Sequence, residues 1–441
     1  MTQGSIVSHI ITFAFPLLLG NLFQQLYNTV DTWVIGNYAS NEAFAAVGSV
    51  GPIINMLIGS FSGLASGAGV VISQYFGAKE DKKVSDAVHS SVLITLVLSV
   101  LFTLFGTLAS PLLLKLMKTP PDVFPESNTY LTIYIAGIAG LLIYNMGSGI
   151  LRSIGDSTRP FLYLVVSAVT NILLDLLFVI KFNLGVAGVA YATIISQGLS
   201  ATLVIITLLR TNSCVKVTLK KIKIHKDVLL KIIKVGIPAA LQIAITAFSN
   251  IFVQSYINAF EADFMSGWTA YLKVDGFLFL PMQSIALAAT TFVGQNLGCN
   301  NSERAKKGVA VSISLAMGIT AVIIIPIMLF SPSLIAFFND KPKVVEYGTL
   351  LLRYISPFYI LCAINQVLAL ALRGSGDSRG PMIITLSSFV LFRQIYLYFA
   401  SMLFPESFII TAMGYPAGWL LCTAIYLIYY RKVGIHKNKL I

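Results

Sequence analysis

The sequence predicts an all-α integral membrane protein with twelve transmembrane helices in two pseudo-symmetric six-helix bundles. Three observations predict it. Hydrophobic residues make up 56% of the 441 residues and charged residues only 11%, where water-soluble chains carry about 25% charged residues. Apolar runs long enough to cross a bilayer as helices, about 20 residues each, recur along the whole chain. Motifs in the first half return in the second at a nearly constant offset.

The runs place spans near 10–34, 46–74, 88–114, 129–150, 161–181 and 186–210 in the first half. The second half has spans near 229–259, 267–296, 308–337, 346–371, 382–404 and 409–430. A β-barrel is not expected, because the runs are continuous and do not alternate with period two. The first run has no basic segment before it and no small-residue cleavage site after it, so it reads as a retained span.

The net charge of +12 is not spread evenly. Lys79, Lys82 and Lys83 follow span 2, and Arg152 and Arg159 follow span 4. Lys216, Lys220, Lys221, Lys223 and Lys226 follow span 6, and Arg304, Lys306 and Lys307 follow span 8. Arg373 and Arg379 follow span 10, and Arg431, Lys432, Lys437 and Lys439 follow span 12. Segment 36–45 has no Lys or Arg. This is the positive-inside pattern, which puts both termini in the cytoplasm. The charge sets topology and does not call for nucleic acid. Cys214, Cys299, Cys362 and Cys422 are scattered, and His9, His89, His225 and His436 lie at span ends or in loops. Neither set has metal-ligand or redox spacing, so no resident cofactor is expected.

The basic segment 211–228 divides the chain near its middle. The expected organisation is an amino-terminal lobe 1–210 holding an ion or proton site, a cytoplasmic linker 211–228, a carboxy-terminal lobe 229–431 and a tail 432–441. LRSIGDSTRP (151–160) and LRGSGDSRGP (372–381) repeat at an offset of about 221, which also sets Gln74 on Gln295 and Gly77 on Gly298. One residue more sets Pro16 on Pro238. Six spans per half orient both halves alike, about an axis along the membrane normal, as in secondary transporters. The GDS segments read as tight turns held by an Arg–Asp pair; no phosphate-loop motif exists in the chain.

A carboxylate at membrane depth costs roughly 2.5–3.5 kcal/mol or more, so such residues are candidate functional groups. Asp31 ends a stripe Asn21, Gln24, Asn28, Asp31, spaced by three and four along span 1 and therefore on one helix face. Asn171 and Asp175 are four apart in span 5, as are Thr193 and Gln197 in span 6. Polar stripes turn inward and meet. Two neighbouring carboxylates in a low dielectric hold either a shared proton or a cation between them. Asp31, Asn171, Asp175 and Thr193 are thus the expected H+ or Na+ coupling site; for Asn171 and Thr193, hydrogen bonding between helices is an equal reading. At the repeat offset, Phe392 and Tyr396 stand where Asn171 and Asp175 do, so the carboxylates belong to one half only. Gln24, Tyr27, Asn28 and Gln197 are expected to line a substrate cleft. Lys273, Asp275 and Arg393 either line it too or are structural, with Arg393 pairing Asp275. Pro16 is either a hinge or a fixed kink in span 1.

FPLLLGNLFQQLYNTVDTWVIG in span 1, the two LRxxGDS turns, and NILLDLLFV followed by GVAGVAYATIISQ resemble the multidrug and toxic compound extrusion (MATE) family, DinF-like branch. The resemblance covers nearly the whole chain. It implies a MATE-like fold of two lobes around a V-shaped cleft, with drug efflux driven by cation antiport and no catalysis. It implies that Asp31, Asn171, Asp175 and Thr193 bind H+ or Na+, and that span 1 bends at Pro16. The sequence departs from the NorM-like branch, whose acids lie in the carboxy-terminal lobe. The expected partners are lipophilic drugs or toxic organic cations and membrane lipid, and the expected form is a monomer in the plasma membrane. The alternatives are a lipid-intermediate flippase of the same superfamily, which needs a strongly cationic cleft, and an intramembrane enzyme, which needs a buried nucleophile and base.

Overall fold

The computed structural model describes residues 1–435 and 440–441. Positions 436–439, within the expected tail, lie outside the described residues. The helices in chain order are α1 (Ile6–Tyr38), α2 (Asn41–Gly77), α3 (Asp81–Leu116), α4 (Phe124–Ala136), α5 (Ile138–Ser153), α6 (Thr158–Asp175) and α7 (Gly185–Arg210). Then come α8 (Lys226–Ile257), α9 (Ala262–Gly298), α10 (Ser302–Leu329), α11 (Ser331–Ala336), α12 (Pro342–Ile355), α13 (Tyr359–Gly374), α14 (Arg379–Thr385), α15 (Arg393–Leu403), α16 (Phe408–Ala412) and α17 (Gly414–Val433). Among the described residues there is no strand.

Eleven of these helices or helix runs are long and apolar enough to cross a membrane, and the pair α4–α5, bent by 46° at Gly137, makes a twelfth. The fold class is therefore the one the sequence predicts. Its details differ in places. Span 4 is broken, since a continuous apolar run does not reveal a bend. Helices α2 and α3 begin before the expected spans, because a helix continues past the hydrocarbon into polar residues that hydropathy does not register. Ser40 caps α2 by accepting from Ala43 N at 3.1 Å, which fixes its start. Two spans contain π-helical turns, Leu176–Lys181 after α6 and Leu386–Phe392 between α14 and α15.

The chain packs as two units, Pro16–Gly236 and Met1–Phe15 with Ile237–Ile441. In the first, Val34, Ile35, Ala46, Val50, Leu131, Ile135 and Val189 form a buried core. The basic segment 211–228 lies inside this unit and is tied to α3. Thr218 N donates to His89 Nε2 at 2.9 Å, His225 N to Ser90 Oγ at 3.0 Å, and Lys83 Nζ to Asp227 at 2.7 Å. In the second unit, Val293, Leu297, Leu368, Leu372, Cys422 and Tyr426 form a core. Arg304 anchors the chain before α1 by donating to Gly4 O at 2.9 Å. Pro16 lies inside a continuous α1.

The two GDS turns share a left-handed glycine, Gly155 at φ 99° and Gly376 at φ 100°, so the repeat extends to backbone conformation. The first turn is held as expected, with Asp156 against Arg159 at 3.4 Å. The second is not. Asp377 accepts from Gly380 N and from Tyr429 OH at 2.9 and 2.6 Å, while Arg373 reaches Gln242 Oε1 at 2.9 Å.

Candidate functional site

The first unit brings α1, α4, α6 and α7 together around two carboxyl groups. Asp31 is 8% exposed and Asp175 is fully buried. Their side chains lie within hydrogen-bonding range of each other. Asp31 Oδ1 and both Asp175 oxygens are buried without a donor among the described residues. Two acceptors in contact are balanced only by a hydrogen or a cation between them, and a buried acceptor left unmatched is costly. Both polar atoms of the Asn171 amide are likewise buried and unmatched, one turn from Asp175.

Local structure explains the placement. The spacing of three and four carries Gln24 and Asp31 down one face of α1, and Gln24 stands within hydrogen-bonding range of Tyr27. Asn28 on the same face is exposed. Asp175 is the last residue of α6, and the π turn that follows it widens the helix there, a distortion common at functional sites. The break at Gly137 lets α4–α5 lie close against α7, since a Cβ at Gly137 would come within 2.5 Å of Ile194.

That approach introduces two residues the sequence reading missed. Tyr130 and Tyr134 are buried on α4, which packs against α7, and both lie within the electrostatic reach of Asp31. Gln197 Nε2 donates to Tyr134 OH at 3.5 Å, which connects the expected cleft residue Gln197 to the site. The signal in the sequence was the four-residue spacing of two tyrosines in span 4. Thr193 is buried, but its hydroxyl donates to Val189 O at 2.9 Å, so it turns its hydrogen into its own helix.

The three charged candidates of the second unit separate. Lys273 is exposed. Asp275 accepts hydrogen bonds from Tyr359 OH and, at 3.5 Å, from Tyr271 OH. Arg393 does not pair with it. Its Nη2 donates to Asn250 Oδ1 at 2.7 Å and to Ser249 Oγ at 3.3 Å. The expected Arg393–Asp275 bridge is not formed: Arg393 donates to acceptors on α8, and Asp275 Oδ1 takes both tyrosine hydroxyls.

Comparison with known proteins agrees with this architecture. The MatE family model matches twice, over residues 16–177 and 238–399. Both ends of the two matches differ by 222 residues, whereas the GDS turns differ by 221. Counted from the match bounds, Arg393 and Leu397 stand opposite Asn171 and Asp175; counted from the turns, Phe392 and Tyr396 do. Neither offset sets an acid in span 11 opposite Asp175. Among curated relatives, the probable multidrug resistance protein YpnP of Bacillus subtilis is 29% identical over 98% of this chain and 96% of its own. YoeA of the same organism, also named a probable multidrug resistance protein, is 30% identical over 85% and 82%. A solved MOP superfamily transporter from Pyrococcus furiosus has the same fold, with a TM-score of 0.92 at 23% identity over 98% of this chain and 96% of that one. Matched by the family model over more than half its length and similar to these relatives nearly end to end, the chain belongs to the MatE family of membrane transporters.

Proposed function

We propose that the chain is a secondary active multidrug exporter of the plasma membrane. It moves lipophilic or cationic drugs outward in exchange for inward H+, with Na+ the second candidate ion. The observation that carries this reading is the buried pair Asp31 and Asp175, side by side, with Asp31 Oδ1 and both Asp175 oxygens lacking a donor among the described residues. Such a pair takes up one proton or one cation and releases it when its surroundings change. The names of the curated relatives, multidrug resistance proteins, support the drug half of the reading. In this reading the amino-terminal half holds the coupling site, with Asn171 and Thr193 beside the pair. Gln24, Tyr27, Asn28 and Gln197 line the drug's path, and α1 bends at Pro16, where proline removes one helix hydrogen bond.

Transport into sealed vesicles, with a proton or a sodium gradient imposed one at a time, tests it. Dye accumulation driven by one gradient and abolished by its collapse is the expected result. Accumulation indifferent to both gradients would reject antiport.

Drug and ion must weaken each other's binding by the same factor. Affinity for a lipophilic cation should therefore fall as pH falls and the pair takes up its proton, by about 5–150-fold for coupling energies of the usual size. Asp31→Asn should flatten that dependence. Equal slopes in the wild type and the variant would sink this exchange mechanism.

The reading also places both termini and segment 211–228 in the cytoplasm. With Cys214 and Cys299 replaced by Ser, a Lys220→Cys side chain should resist impermeant maleimide in intact cells and react after permeabilisation. Ready labelling from outside would overturn the orientation.

A further inference from the structure

Arg393 opens α15 in the second unit and is only 3% exposed. Among the described residues no carboxylate pairs with it. Its Nη2 donates to the neutral acceptors Asn250 Oδ1 and Ser249 Oγ, and its guanidinium sits 4.8 Å from the centre of the Tyr415 ring. Its Nε is buried and has no acceptor among the described residues. A guanidinium taken out of water without a counter-charge is costly, and a charged residue at membrane depth marks a functional position.

The repeat sharpens this. The offset that pairs Pro16 with Pro238 sets Asn28 on Asn250 and Asp31 on Val253, so α8 has no acid where α1 has Asp31. Span 5 carries Asp175, whereas span 11, residues 382–404, has no acid and Arg393 as its one charged residue. The Asn250 side chain is exposed while it holds Arg393. An exposed amide at membrane depth belongs on a wet surface, so the group covering the guanidinium is also the one that solvent reaches. Neutral amide and hydroxyl oxygens are weaker acceptors for a guanidinium than an anion is.

We propose that Arg393, with Ser249, Asn250 and Tyr415, is a subsite for an anionic group on the exported compound. The ligand is a carboxylate or sulfonate carried by an aromatic body. Its oxygens displace the Asn250 amide from Nη2 and also engage Nε, and its ring packs beside Tyr415. Substrates favoured by this subsite are zwitterions and amphipathic acids, and a lipophilic cation alone leaves it empty. The subsite rests on the exporter reading above for its substrate. A purely structural Arg393, pinning α8 to α15, would be indifferent to the charge of the ligand.

A matched pair of probes tests it: a rhodamine with a free benzoate, and the same dye as its methyl ester. Fluorescence polarisation reads the binding of each to the purified full-length chain, with no gradient present. The wild type should hold the free acid more tightly than the ester. Arg393→Gln should weaken the acid about tenfold or more, as loss of a charge-assisted pair does, and leave the ester within about twofold. Arg393→Lys, which keeps the charge without the fork, should fall between, and it decides the matter if the Gln variant does not fold. Equal losses for both dyes in either folded variant would overturn the subsite, as would a wild type that prefers the ester. Gradient-driven export is measured separately in vesicles, so failure of antiport and failure of the subsite give different results.

Discussion

Asp175→Asn is expected to abolish gradient-driven export while leaving the chain folded. Asp175 is fully buried against Asp31, and neither of its oxygens has a donor among the described residues. An amide keeps the shape of the carboxyl group and supplies the missing hydrogen permanently, so Asp31 gains a partner that never leaves. The pair can then no longer take up and release one charge per cycle. Initial rates of gradient-driven export should therefore fall to the level seen with the gradient collapsed. The thermal midpoint should match or exceed that of the wild type, because a contact between two acceptors is replaced by a hydrogen bond. Asp31→Asn should behave alike. Asp275→Asn is the control: that carboxylate is already held by Tyr359 and Tyr271, so coupling should survive its loss. Normal export by Asp175→Asn, or equal loss in Asp275→Asn, would remove the pair from the mechanism.

What the sequence revealed of this site follows from the physics of each residue. Asp31 and Asp175 were legible because a carboxylate in hydrocarbon has no cheap structural reason to be there. Helical spacing then put Asn171 beside Asp175. Tyr130 and Tyr134 left only a four-residue spacing, too weak a mark because tyrosine is at home in apolar helices and nothing in a continuous run shows the bend at Gly137 that brings α4 to α7. The twelve spans were plain from hydropathy alone. The place where packing divides the chain was not, since it falls within helices α1 and α8 and leaves no mark in composition.

Gly67→Ile should abolish the folded protein. Gly67 on α2 faces the first turns of α8, and a Cβ there would lie 2.6 Å from Gly236 N and 2.7 Å from both Gly236 Cα and Ile232 O. All three are backbone atoms, so no side-chain rotation relieves the clash. Helices in lipid gain nothing from burying apolar surface against one another and associate through close packing, for which small residues are required. Separating α2 from α8 would also cost the Lys231 Nζ–Tyr75 OH hydrogen bond of 2.8 Å. Gly67→Ala should already destabilise by about 1–3 kcal/mol, the usual cost of overpacking. The larger β-branched side chain should leave only aggregated material on size exclusion. Gly51 on the same helix has nothing within 4 Å of its Cβ position, so Gly51→Ala should be tolerated, and should gain slightly from helix propensity. The contrast separates backbone clash from any general intolerance of α2 to change. A Gly67→Ile chain that elutes as one species and melts with the wild type would mean that the two backbones do not approach this closely.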